Sequence, residues 1–264
     1  MFDNNLVRKN THSLGLNSQI LANKPIIELD EIDSTNNYAM RLIDADSAQD
    51  GMTITAASQS NGKGQRGKQW TAAPYQSILM SIIIRPPFVL SEQFTLSALV
   101  AVAVADAVQQ FCETSEVKIK WTNDIMLGDK KAGGILIENI IRGSQWSYAV
   151  IGIGLNVLQS HRNPDLPHAT SLKMASGNDI EMMALRDVIR LQIFSLLEQS
   201  IDPVFLLQRY NEYLYKRNQL QLFNNDEKEW TAIVKSVTKE GKLVAAFPDG
   251  SIAYYTHGFQ NWVY

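Results

Sequence analysis

Two apolar runs, Met52–Ala57 and Ile78–Ile84, are held apart by a segment far longer than a chain reversal needs. Each run has the length and texture of a buried strand, and Pro86-Pro87 ends the second. Between them lies Ser58–Trp70, SQSNGKGQRGKQW, polar and rich in glycine. Two residues would close a tight hairpin, so a polar loop of this length between strands points to a segment kept for what it binds. The fold must therefore contain a sheet that presents a long loop. Its glycines let backbone wrap closely around a ligand, and Lys63, Arg66 and Lys68 supply cations suited to phosphate oxygens. Taken alone, a basic loop is as well explained by solvation at the surface, and the rest of the chain has to decide.

The flanking sequence predicts a mixed α and β chain. Ile26–Leu29 reads as a short strand, followed by Asp33-Ser34-Thr35-Asn36 and a helix to about Ile43, with Asp33 or Ser34 as its N-cap. Leu96–Phe111 has the small apolar texture of a buried helix. Val117–Trp121, Ala132–Ile141 and Trp146–Ile153 read as strands, with a hairpin turn at Gly128-Asp129-Lys130; Asn123 and Asp124 lie just beyond the first of them. Two helices follow over 181–199 and 203–215, the second capped by Asp202 with Pro203 at its first position. After Lys216 the texture changes to short β segments, Trp230–Val237, Leu243–Phe247 and Ile252–Tyr255, punctuated by Gly241 and Asp249-Gly250. The expected organisation is a polar leader over 1–24, a main α+β domain over 25–217 and a small barrel-like β domain over 218–264.

Several function classes are excluded on chemistry. The net charge of −3 says little about partners, but the basic residues gather in one loop rather than along a face, so no DNA partner is expected. The single cysteine, Cys112, rules out an intramolecular disulfide and fits a reducing, cytoplasmic setting; beside Phe111 it is expected to pack as a small hydrophobe. Leu96–Val108 is broken by Asp106 and falls short of the roughly 18 apolar residues of a membrane span. His12, His161, His168 and His257 lack zinc-ligand spacing, so no protein-held metal is expected. Gly62–Gln69 imitates a phosphate-binding P-loop, but Gln69 stands where a serine or threonine should hold magnesium, and Pro74 and a strand follow instead of a helix.

Four ordered segments decide between a surface loop and a site. Asp33-Ser34-Thr35-Asn36, the loop Gly62–Trp70, Lys120-Trp121-Thr122-Asn123-Asp124 with Lys131–Glu138 (KAGGILIE), and Gly152-Ile153-Gly154-Leu155-Asn156 together resemble the biotin–protein ligases. The resemblance implies an α+β fold with a mainly antiparallel mixed sheet and flanking helices, the biotin/lipoate ligase fold akin to class II tRNA synthetases, plus a C-terminal SH3-like barrel. It also implies an ATP-dependent enzyme that activates biotin as biotinyl-5'-AMP, with Mg2+ brought by ATP, and transfers it to a lysine of a biotin carboxyl carrier protein.

By the same resemblance Lys131 and Asp124 are catalytic, Lys131 between carboxylate and α-phosphate and Asp124 beside the acceptor lysine. Ser34, Thr35, Asn36, Gln59, Gly62, Lys63, Gly64, Lys131, Gly134, Gly152 and Gly154 hold biotin; Lys63, Gln65, Lys68, Trp70, Lys120, Asn123 and Asn156 hold ATP or the adenylate. Gln65 and the two loop lysines stand where the family often carries arginine, and Arg66 is expected to face solvent. The loop is expected to be mobile without ligand and to order over the adenylate. A lipoate ligase or octanoyltransferase of the same superfamily and a non-catalytic biotin sensor are the rivals. The stretch before the first strand is too short for a winged helix-turn-helix, so no operator binding is expected; a homodimer through a sheet edge is possible in this fold.

Overall fold

The computed structural model describes residues 19–161, 163–199, 202–225, 228–258 and 261–262, so most of the expected leader and His12 lie outside the described residues. Seven strands form the main sheet: β1 (Ile26–Ile32), β2 (Thr53–Gln59), β3 (Ser77–Ile84), β4 (Val117–Lys120), β5 (Asp124–Leu127), β6 (Lys130–Arg142) and β7 (Gln145–Asn156). Their order is β1-β2-β3-β7-β6-β5-β4, parallel only between β1 and β2. The sequence expectation gives β4 as a strand and leaves Asn123 and Asp124 just beyond it, with no strand over β5. Asp124 instead opens a strand of its own, paired with Lys120 across the β4–β5 hairpin.

The helices that pack on the sheet include α1 (Thr35–Asp44), α2 (Gln93–Phe111), α3 (Leu172–Ser176), α4 (Met182–Glu198) and α5 (Pro203–Tyr213). α2 is apolar on every side because it is covered on every side, by the sheet and by Leu185, Ile189, Ile193 and Phe194 of α4 and Leu206 and Tyr210 of α5. With its preceding turn, Leu90–Phe111 is long and apolar enough to cross a membrane by length and composition, at a mean hydropathy of 1.5, but its apolar side chains are spent on this core. Asp106 is tolerated there because Arg209 and Tyr213 of α5 both donate to its Oδ1, each at 2.6 Å. Cys112 is buried in the same core, its thiol pushed up by burial.

A second core lies on the opposite sheet face, where Ala39 and Ile43 of α1 meet Ile54, Ile83 and Val150. α1 packs mainly on the β2–β3–β7 part of that face, and its Asn36 reaches Glu138 of β6.

The C-terminal strands are β8 (Leu220–Asn224), β9 (Glu229–Val237), β10 (Leu243–Ala246), β11 (Ile252–Tyr255) and β12 (Asn261–Trp262), an antiparallel sheet of order β11-β10-β9-β8-β12. Phe223, Val234, Val237 and Leu243 from its inner face continue the main core. Asn211 of α5 bonds both backbone groups of Val237, and Trp121 Nε1 donates to Gly241 O at 3.0 Å, so polar bonds as well as burial fix the small sheet to the main one.

Candidate active site

Strand parity places the site. Along β7, Ile151, Ile153 and Leu155 face the helical core, so Gly152 and Gly154 face the other way; along β6, Gly134, Leu136 and Glu138 share that second face. The register sets Leu79, Gly154, Gly134 and Asp124 in one row across β3, β7, β6 and β5, and Ser81, Gly152 and Leu136 in the next. Three glycines thus leave a hollow beside the first turn of α1. An added Cβ on Gly152 would strike the Asn36 amide, and one on Gly154 would strike the Trp70 indole. Above this floor is a cavity of about 480 Å³.

One end of the cavity is a closed polar network. Thr35 donates to Gln59 Oε1 through its backbone N at 2.8 Å and its Oγ1 at 3.1 Å; Ser81 Oγ lies 2.7 Å from Thr35 Oγ1 and 2.5 Å from Asn36 Oδ1. Asn36 Nδ2 donates to Glu138 Oε2 at 2.8 Å, and Lys63 Nζ pairs with Glu138 Oε1 at 3.1 Å. Ser34, the N-cap residue of α1 by its backbone, makes no side-chain hydrogen bond to the helix, although it is buried at the cavity wall. Asp33 bonds Arg41 and Asn37 instead, chiefly Arg41, which holds its carboxyl well below the usual range.

The other end is cationic. Lys131 Nζ sits 2.6 Å from Asp124 Oδ1 and 5.7 Å from the centre of the Trp70 ring. A register shift between Ile125 and Met126 in the β5–β6 pairing, and hydrogen bonds of the Lys131 backbone to His168 and Thr170, set its position. Lys120 is buried, and burial foremost, then Lys131 and Lys68, lower it to about 8 against the pull of Asp124. Asn123 lines the cavity, yet its Nδ2 donates to Ile135 O at 2.5 Å and its Oδ1 accepts from Thr122, so its side chain also fixes the turn.

The basic loop forms the roof. Trp70 N donates to Gly62 O and Gly64 N to Lys68 O, which folds 62–70 into a narrow hairpin around a short 3-10 turn at Gln65–Gly67. Lys63, Gly64, Gln65, Lys68 and Trp70 line the cavity; Gly62 does not, and serves instead to let the chain pass Gln59 and the Trp70 carbonyl. Arg66 is exposed, as expected, and its guanidinium also reaches the small sheet, where its Nη2 donates to His257 O at 3.4 Å. The sequence reading also left out Ser81, Glu138, His257 and Trp262, the last two of which line the cavity. Asn156 lies elsewhere. It donates to Thr170 O and lines a second cavity of about 280 Å³ with Thr71, Gln159 and Ala169. The two cavities share a wall, since Trp70 precedes Thr71 and Lys131 bridges to Ala169.

This arrangement has known counterparts. The profile of the Biotin/lipoate A/B protein ligase family matches residues 29–156. The bifunctional ligase/repressor BirA of Bacillus spizizenii is 34% identical over 172 residues, which are 63% of this chain and 51% of that protein, so the chain spans about half the length of this curated relative. The biotin–[acetyl-CoA-carboxylase] ligase of Paracoccus denitrificans is 32% identical over 229 residues, covering 83% of this chain and 92% of that one. The solved biotin protein ligase of Aquifex aeolicus, in complex with biotin and ATP, has the same fold, with a TM-score of 0.73 at 22% identity over 91% of this chain and 99% of that one. With four matching segments gathered at one cavity, the chain belongs to the biotin/lipoate A/B protein ligase family, among its biotin–protein ligases.

Proposed function

We propose that this chain joins biotin to ATP as biotinyl-5'-AMP, releasing pyrophosphate, and then transfers biotin to one lysine of a biotin carboxyl carrier domain. The Lys131–Asp124 pair on the wall of the first cavity, with the Lys131 backbone bridged to Ala169 of the second cavity's lining, carries the reading. The glycine-floored cavity suits biotin: an apolar body over Leu79, Gly152 and Gly154, and ureido atoms toward Ser34, Thr35 and Gln59. The cavity with Asn156 and Thr71 suits the nucleotide, a short step beyond Trp70. Lys131 then stands where carboxylate and α-phosphate come together, and a fixed ammonium there offsets both the repulsion of the two anions and the charge that develops on the phosphorus oxygens. Lys120 and Lys68 extend the positive field toward the phosphates.

In the second step the carrier amine attacks the acyl carbonyl and AMP leaves. An ordinary lysine is protonated at neutral pH, and Asp124 is the carboxylate placed to accept that proton. Magnesium is expected to arrive as the phosphate-bound counter-ion of ATP. The relatives' acetyl-CoA-carboxylase names point to a carboxylase's carrier domain as the partner, and the single cysteine fits a reducing, cytoplasmic setting for the reaction.

ATP-dependent transfer of labelled biotin to a carrier domain tests the whole scheme, with lipoate as competitor. Lys131→Ala is expected to slow adenylate formation by about 10²–10³-fold, the loss typical of a transition-state charge partner. Near-wild-type adenylate formation by that variant would refute the role of Lys131, and preference for lipoate would refute the substrate.

A further inference from the structure

The chemistry above leaves unexplained why the roof reaches into the small C-terminal sheet. Arg66 occupies the loop apex in the left-handed region, at φ 58° and ψ 42°, which costs a non-glycine residue energy unless contacts hold it there. Its guanidinium crosses to the turn after β11, donating to His257 O at 3.4 Å and lying against Gly258. Gly258 has φ 99°, and an added Cβ would fall on the Arg66 guanidinium, so glycine is needed there twice over. The turn is itself anchored to the main sheet: the His257 ring meets Trp121 edge-on at 5.6 Å, and Trp121 is tied back to Gly241. A few residues on, the Trp262 ring lies 5.8 Å from Lys120 Nζ.

We infer that the His257–Gly258 turn is a latch for the loop: the small sheet holds the Gly62–Trp70 roof shut through Arg66, which makes Arg66 and Gly258 positioning residues that set how long the acyl-adenylate is retained. The inference rests on the function proposed above. It is tied to this chain's own geometry, since the guanidinium and the missing Cβ occupy the same space.

The test uses the full-length protein, labelled biotin and ATP, without carrier, and reads how fast adenylate escapes. Arg66→Ala is expected to release it about tenfold faster, equivalent to about 1.4 kcal/mol of retention. Gly258→Ala, which displaces the guanidinium, is expected to do the same, and the double variant to be no leakier than either single one. Retention unchanged in Arg66→Ala, or effects that multiply in the double variant, overturns the latch. Should Gly258→Ala fail to fold, amide exchange decides: the Gly64 and Trp70 amides, bonded within the loop, are expected to exchange about tenfold faster in Arg66→Ala, and unchanged exchange overturns the latch. If the wild type makes no adenylate, the proposed function fails while this exchange measurement still judges the latch.

Discussion

Lys120→Met should make the protein more stable and less active. Lys120 is a buried cation whose pKa falls from the usual 10.5 to about 8, with burial as the main cause. It faces Asp124, its partner across the β4–β5 hairpin, which favours the charge, and Lys131 and Lys68, which oppose it. Because the folded pKa lies below the unfolded one, the folded chain binds the proton less tightly. The penalty is absent above about 10.5, grows as pH falls, and is fully expressed below about 8. At 1.36 kcal/mol per pH unit, the drop is worth about 3 kcal/mol. Methionine keeps the length and apolar stem and removes the charge, so the variant should be more stable than wild type by up to about 3 kcal/mol at pH 7. Urea unfolding of both proteins between pH 7 and 10.5 measures this, and taking the difference between them cancels tyrosines that titrate in the same range. The gap should close as pH rises through 8 to 10.5. A gap independent of pH, or a variant less stable than wild type at pH 7, refutes the argument. Adenylate formation by the variant should fall, because in the proposed scheme the destabilising charge is the one that faces the phosphates.

Two further substitutions probe the floor and the second step. Gly154→Ala places a methyl where the Trp70 indole lies; it should raise the Kd for biotin and its adenylate by at least about tenfold with little loss of fold stability, read by calorimetry beside thermal unfolding, and wild-type affinity would show that Trp70 is not seated there in solution. Asp124→Asn keeps the shape but removes the proton acceptor, so biotin transfer should slow by about 10²-fold or more, with less effect on adenylate formation; the defect should shrink as pH approaches the carrier lysine's own pKa, and a pH-independent defect would count against proton transfer.

Much of this was legible from residue pattern. The loop between β2 and β3, the α1 start at Thr35 and the glycines of β6 and β7 follow from local texture and motif order. What escaped did so for identifiable reasons. β5 and β8 are four and five residues long, too short to show a period against their turns. Glu138 could have been found by counting in twos from Gly134, which puts it on the site face; Ser81 could have been found from Leu79 in the same way. Counting in twos also puts Asn156 on the face of Gly152 and Gly154, but the indole of Trp70 intervenes, and the residue falls in the neighbouring cavity. His257 and Trp262 reach the site only because the small sheet folds back on Trp121 and Lys120, contacts more than 130 residues apart in sequence that carry no local signal.

The pairing of Lys131 with Asp124 supplies an order for the two half-reactions. At 2.6 Å each neutralises the other. In the proposed scheme Lys131 turns from Asp124 toward the biotin carboxylate and the α-phosphate, two anions that together compete with one carboxylate for its charge. The movement that serves the first step takes the cation away from Asp124 Oδ1 and leaves that oxygen open to a hydrogen bond from the incoming carrier amine, so one pair of side chains serves both half-reactions in turn.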